Sequence, residues 1–312
     1  MSASPRTLDQ QAPDRAPVTV TSLLEKKHHG EKIVMVTAYD YPSATVVEAA
    51  GVDMVLVGDS AATTVLGLDS TVPATVDELV MLSRAVRRGL RSAFLVSDLP
   101  FGSYEASDVE AVKTAQRFVK DAGAQAVKLE GGGVMVDRAR AIVAAGIPVV
   151  GHLGLTPQTA NALGGLRAQG KRAEQATRMV ADALALQEAG CCALVLEAIP
   201  AAVADELMPL LEIPVIGIGA GASTDGQVLV WHDLLGLLEG RTAKFVKQYA
   251  HLHGQMVEAV RSYATEVREG EFPTRDHTYA IAPEELQRFQ SSLAQLHGHG
   301  NHGMTSPPPY PA

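Results

Sequence analysis

Five apolar, β-branched runs of this chain each stop at a residue able to bind a metal or move a proton. They are Met54-Val55-Leu56-Val57-Gly58-Asp59-Ser60, Phe94-Leu95-Val96-Ser97-Asp98, Ala126-Val127-Lys128-Leu129-Glu130, Val149-Val150-Gly151-His152 and Leu194-Val195-Leu196-Glu197. Asp59, Asp98 and Glu130 offer hard oxygen donors without a Cys or a His-x-x-x-His pair, a set that favours Mg²⁺ over Zn²⁺. Magnesium keeps several waters and takes one or two protein carboxylates, which leaves positions for a chelating, oxygen-rich ligand. One such acid alone can equally be a helix cap, as Asp98 before Leu99-Pro100 can. Three at successive strand ends point to function. Lys128 lies two residues before Glu130, on the same face of the same strand, where it can balance charge or hold a carboxylate. His152 and Glu197 close the next two runs and can move a proton near a metal-bound substrate, although a lone strand-end His is often structural. Glu197 follows three apolar residues, so partial desolvation is expected to raise its pKa; it is the candidate base.

Runs of this kind suit strands buried on both faces, where a charge is tolerated only at the strand end and with a partner. Strand candidates cover 33–38, 54–58, 93–97, 126–129, 148–151, 193–196, 214–218 and, less clearly, 228–231. Helical patterns fall between several of them, at 42–50, 76–88, 108–122, 135–145, 171–189 and 201–211. Ala50-Gly51, Ala122-Gly123, Ala145-Gly146 and Ala189-Gly190 each place Gly where a helix returns to the next strand. Strand, helix, Gly and strand repeated about eight times describe a closed (β/α)8 barrel of the α/β class, with a doubly wound open sheet as the other arrangement. In the barrel all carboxyl-terminal strand ends converge on one mouth, so these residues become neighbours. Residues 246–269 read as one or two further amphipathic helices.

We therefore expect a flexible segment over 1–17, a single barrel domain with extra terminal helices over 18–283, and a mostly flexible tail over 284–312 with a short helix at 285–296. The tail ends in a His-Gly run over 297–303 and a Pro-rich stretch, read as an unstructured polar end rather than a metal site. The chain has 312 residues, a formal charge of −9 and only 4% aromatics, so the core must come from Val, Leu, Ile and Ala. The acidic balance argues against a nucleic-acid or anionic-membrane partner. Cys191 and Cys192 read as reduced core residues. Without a signal-type segment or a membrane-length apolar run, a cytoplasmic protein is expected. The Gly217-Ile218-Gly219-Ala220-Gly221 stretch lies too late, and lacks the following acid, for a dinucleotide site. The basic loop Gly164-Gly165-Leu166-Arg167-Ala168-Gln169-Gly170-Lys171-Arg172 is either a lid or a solvated turn.

Taken together and in order, Thr37-Ala38-Tyr39-Asp40, Val57-Gly58-Asp59-Ser60, Asp98-Leu99-Pro100-Phe101, Lys128-Leu129-Glu130-Gly131-Gly132, Gly151-His152-Leu153-Gly154-Leu155-Thr156-Pro157-Gln158, Val195-Leu196-Glu197 and Ile216-Gly217-Ile218-Gly219-Ala220-Gly221 closely resemble the ketopantoate hydroxymethyltransferase family, over residues 18 to about 280. The resemblance implies a homodecamer of (β/α)8 barrels. It also implies transfer of a one-carbon unit from 5,10-methylenetetrahydrofolate to 3-methyl-2-oxobutanoate, through an enolate, in pantothenate biosynthesis. By motif, Asp59 and Asp98 would bind Mg²⁺, with Glu130 completing its environment directly or through water. Asp59, Ser60, Asp98 and Lys128 would hold the ketoacid, Glu197 would be the proton acceptor, and His152 would support by hydrogen bonding. Departures from the family pattern are Ala61-Ala62-Thr63, Ala198 and Leu166, which bear on pocket shape rather than on the proposed ligands. A magnesium-dependent lyase or mutase of the phosphoenolpyruvate mutase and isocitrate lyase type is the alternative, but its usual Lys-x-x-Cys-Gly loop does not occur here.

Overall fold

The computed structural model describes residues 15–240 and 242–298. Most of the 1–17 segment, most of the His-Gly run and all of the Pro-rich end lie outside the described residues. Eight parallel strands close into a barrel in sequence order: β1 Ile33–Thr37, β2 Met54–Val57, β3 Phe94–Asp98, β4 Ala126–Glu130, β5 Val149–Gly154, β6 Ala193–Glu197, β7 Val215–Ile218 and β8 Gly226–Leu229. The helices are α1 Val20–His29, α2 Tyr41–Ala49, α3 Ala61–Thr64, α4 Val76–Gly89, α5 Asp108–Ala122, α6 Met135–Ala144, α7 Ala173–Glu188, α8 Ala201–Leu207, α9 Trp231–Leu235, α10 Leu252–Glu269 and α11 Pro283–Gly298. The closed barrel, not the open sheet, is the architecture.

Alternation along the strands divides the apolar residues into two layers. Inward-facing Ile33, Met35, Met54, Leu56, Phe94, Val96, Ala126, Val150, Ala193, Val195, Ile216, Ile218 and Val228 fill the barrel, together with Val18 and Leu23 from the amino-terminal segment and α1. Outward-facing Val55, Leu95, Val127, Val149, Leu194 and Val215 pack on helix residues such as Leu79, Val86, Phe118, Ile142 and Leu186. The helix α1 begins with a capping box between Thr19 and Ser22, and Lys27 pairs with Asp225 ahead of β8 at 2.7 Å. All four glycines expected to end helices take positive φ. Cys191 is buried and unpaired, and burial pushes its thiol up to about 12, so it stays neutral.

Two of the differences from the sequence reading have a clear local cause. The eighth strand is Gly226–Leu229 rather than 228–231, and Trp231 already starts α9. Its entry residue must be Gly, because a Cβ there would lie 2.3 Å from the Ile33 carbonyl oxygen. An apolar-run search passes over that polar Gly-Gln start. The helix expected from 246 begins only at Leu252, because residues 246–251 are tied into an irregular turn. Tyr249 N–H donates to Leu234 O and His253 N–H to Gly236 O, bonds that a continuous helix would not make.

The described residues divide into two compact units, on either side of the His253–Gly254 bond. The second unit, in its described part, consists of the rest of α10, a 3-10 turn at Arg275–His277 and α11, with Tyr263 and Phe272 in edge contact at 5.5 Å. No helix among the described residues is long and apolar enough to cross a membrane.

Candidate active site

Barrel register, not sequence proximity, assembles the site. Asp98 at the end of β3 is the direct partner of Lys128 on β4, and Glu130 two residues on is the partner of His152 on β5. All four side chains point inward, and each residue is 2–3% exposed, dry enough to force mutual compensation of charge. Lys128 Nζ lies 2.8 Å from Asp98 Oδ1 and 3.8 Å from Glu130 Oε1. His152 Nδ1 is 3.1 Å from Glu130 Oε1, and its Nε2 is 3.3 Å from Glu197 Oε2 on β6. Five predicted residues from four adjacent strands thus form one continuous ionic chain. Glu197 keeps 17% of its side-chain surface and is the member that faces the open mouth.

Asp59 joins from the turn after β2. Its backbone N–H donates to Asp98 Oδ2 at 3.0 Å, and its own Oδ2 accepts from Gln158 Nε2 at 2.9 Å. Asp98 is therefore not the cap of the following turn; its carboxylate faces the Asp59 N–H and Lys128. Ser60 follows at the start of α3, with its hydroxyl 2.8 Å from the Tyr39 hydroxyl. Burial pushes the Tyr39 phenol up to about 12, so it remains protonated there.

Electrostatics follow from this packing. Burial, then the Asp98 and Glu130 charges, push the Asp59 carboxyl up to about 7 against the opposing pull of Lys128. Burial also raises Asp98, and Lys128 only partly offsets it. Glu130 goes the other way: burial is outweighed by His152, Lys128 and the Gln158 N–H, so it stays ionised. Burial and the Lys128 charge act to lower His152, but Glu130 and Glu197 overcome them and hold it at about 9. Lys128 is held protonated by the three acids despite its burial. Three buried carboxyl groups, Asp59, Asp98 and Glu130, thus face two buried basic groups, Lys128 and His152.

That surplus fits a hard cation. Asp98 Oδ1 is buried and meets the Lys128 ammonium at 2.8 Å, which leaves this oxygen a further lone pair for a cation. Among the described residues no three His, Cys, Asp or Glu side chains form a ready-made cage. Two carboxylates completed by water is the usual magnesium arrangement. Both Glu130 oxygens are already engaged, Oε1 by His152 and Oε2 by the Gln158 N–H at 3.0 Å, which suits a role through water.

Sequence reasoning missed the node that joins these acids. Gln158 sits in the 3-10 turn Pro157–Thr159 after β5 and is 4% exposed. Its Nε2 donates to Asp59 Oδ2 and to Leu99 O, its Oε1 accepts from the Tyr104 hydroxyl at 2.6 Å, and its backbone N–H serves Glu130. The Tyr104 hydroxyl in turn accepts from Glu130 N–H at 3.2 Å. Nothing in a lone neutral amide marks it beforehand; the only signal was its place in the motif running on from His152. Behind the candidate base, Ala198 takes φ 48°, the single positive-φ residue other than Gly among those described. Its N–H donates to Ile218 O and its carbonyl accepts from Gln169 N–H, which fixes the peptide beside Glu197. Gly154 faces this turn: a Cβ there would meet Glu197 O at 2.2 Å, and its φ is +96°.

Fold and site together define a (β/α)8-barrel enzyme with an acid-rich, proton-handling mouth. Solved structures agree on the fold: a phosphonopyruvate hydrolase complex with oxalate and Mg²⁺ aligns at TM-score 0.56 and 12% identity, covering 91% of this chain and 99% of that one. A 2,3-dimethylmalate lyase aligns at TM-score 0.54 and 18% identity, covering 92% and 100%. Sequence comparison is more specific. The model of the ketopantoate hydroxymethyltransferase family matches residues 17–275, and the chain belongs to that family. The 3-methyl-2-oxobutanoate hydroxymethyltransferase of Carboxydothermus hydrogenoformans is 52% identical over 87% of this chain and 99% of its own length. The Moorella thermoacetica protein of the same name is 53% identical over 85% and 98%.

Proposed function

We propose that this enzyme transfers a hydroxymethyl group from 5,10-methylenetetrahydrofolate to 3-methyl-2-oxobutanoate, giving ketopantoate and tetrahydrofolate. The observation that carries the reading is the ionic chain Asp98–Lys128–Glu130–His152–Glu197 across four strands of one mouth, in a chain of this family. Asp59 and Asp98 would hold Mg²⁺, with Glu130 acting through water. The metal, when bound, supplies Lewis acidity toward the keto and carboxylate oxygens of a 2-oxo acid.

The protein groups do the rest. Lys128, kept charged by its neighbours, attracts the ketoacid carboxylate, and Ser60 donates a hydrogen bond whose direction Tyr39 fixes. Glu197, at the wet end of the ionic chain, takes the proton from C3 of the ketoacid. Protonated His152 beside it, 3.3 Å away, orients Glu197 for that transfer and is itself locked by Glu130. The carbanionic C3 then attacks the folate methylene carbon as that carbon's bond to one folate nitrogen breaks, and water entering by the open side of the mouth replaces the second nitrogen, leaving its hydroxyl on the transferred carbon and its proton on tetrahydrofolate. By the same resemblance the enzyme is proposed to work as a cytoplasmic homodecamer.

The test is product analysis with Mg²⁺, 3-methyl-2-oxobutanoate and the folate. Equimolar ketopantoate and tetrahydrofolate are expected. Cleavage of the ketoacid, or no product with any one-carbon folate, would overturn the assignment.

A further inference from the structure

The basic loop 164–172 takes no part in the ionic chain, yet it is fastened to it. Gln169 N–H donates to the Ala198 carbonyl at 3.0 Å, one residue from the candidate base, and Gln169 Nε2 donates to Arg167 O at 2.9 Å. The loop therefore stands on the rim beside Glu197. Arg167, Lys171 and Arg172 are exposed on it and make no ion pair among the described residues.

Three cations within six residues stand out against an acidic background. The chain carries a net charge of −9, and the mouth adds Asp59, Asp98, Glu130 and Glu197 at close range. A folate brings the carboxylates of its glutamate end toward that field and is repelled unless positive charge meets it. Lys128 cannot do so, because it is buried and committed to Asp98 and Glu130. The ketoacid has one carboxylate and enters the mouth; the glutamate end of the folate is the anion left at the rim. We propose that loop 164–172 is the docking site for the glutamate carboxylates of the folate co-substrate, through Arg167, Lys171 and Arg172. This rests on the folate-dependent reaction proposed above, and it makes the enzyme selective for polyglutamylated donors.

The experiment compares monoglutamyl and triglutamyl 5,10-methylenetetrahydrofolate with the full-length Mg²⁺ enzyme and its Arg167→Ala/Lys171→Ala/Arg172→Ala variant. With each exposed pair contributing about a factor of two, the variant's KM for the triglutamyl donor should rise about tenfold. The ketoacid KM, kcat and folate-independent proton exchange at C3 should stay at wild-type values, which also reports intact folding. The charge-keeping variant Arg167→Lys/Lys171→Arg/Arg172→Lys should restore most of the affinity, and Lys113→Ala on α5 should change nothing. Added salt should weaken the triglutamyl donor more in the wild type than in the triple Ala variant. An unchanged triglutamyl KM in the triple Ala variant overturns the loop assignment and leaves the reaction standing. A rise in the ketoacid KM instead overturns it in favour of an oxo-acid role. Absence of product from wild-type enzyme with both donors overturns the reaction and the loop assignment together.

Discussion

Replacing Gln158 by Ala deletes one amide from a buried node and leaves two groups without their donor, the Asp59 carboxylate and the Leu99 carbonyl, while the Tyr104 hydroxyl loses its short bond but keeps Glu130 N–H. The bond from Gln158 N–H to Glu130 survives because it belongs to the backbone. At about 1 kcal/mol for each of the two buried groups left unsatisfied, the low end for such losses, the variant should be destabilised by about 2 kcal/mol. Tyr104→Phe removes the hydroxyl that serves Gln158 Oε1 and Glu130 N–H and should cost about 1–2 kcal/mol. Both changes delete the same 2.6 Å bond, so the double variant should fall short of the sum by about 1 kcal/mol. Urea unfolding of the four proteins, without metal, measures this cycle. A Mg²⁺ titration of the same proteins should show about tenfold weaker binding for Gln158→Ala, since Asp59 loses the donor that orients it. Strict additivity together with unaltered Mg²⁺ affinity would refute the assignment of Gln158 as the residue that positions the metal-side acid.

Other consequences follow from the same geometry. Asp59, held at about 7, is half protonated near neutrality, and a cation must displace that proton; because a raised carboxyl pKa means ionisation only above it, Mg²⁺ affinity should rise about tenfold from pH 6 to pH 8. Calorimetry in two buffers of different ionisation enthalpy would count the released proton, and an affinity flat across that range would contradict the site. Asp59→Asn and Asp98→Asn should each weaken Mg²⁺-dependent ketoacid binding by about tenfold or more, and equilibrium dialysis with unchanged magnesium dependence in both would count against them. Gly154→Ala places a Cβ 2.2 Å from Glu197 O at a φ of +96°, so thermal or urea unfolding should show a loss of about 3 kcal/mol or more, whereas a near-native midpoint would mean the strand pair tolerates the atom.

Much of this site could be read from the chain because barrel strands advertise their ends. A continuous apolar run that stops at Asp98, Glu130, His152 or Glu197 has few physical outlets other than a mouth, and parallel closure brings those ends together. The order of contacts was not legible: that Asp98 faces Lys128 and Glu130 faces His152 depends on strand register, which the runs do not encode individually. Gln158 and Tyr104 were invisible for a different reason. Both lie outside strands, in connections with no periodicity, and their role exists only when the turn after β5 folds over the acids. Gly226 was missed because a strand entry selected for close approach looks polar and short.

The measurement closest to the central claim follows deuterium entering C3 of 3-methyl-2-oxobutanoate in D2O, with Mg²⁺ and without folate, in the wild type and in Glu197→Gln. The wild type should exchange in a magnesium-dependent way. The variant should be slower by a factor of about 100 or more, while still binding Mg²⁺ and the ketoacid. Equal exchange in the two proteins, or wild-type exchange indifferent to Mg²⁺, would contradict the account.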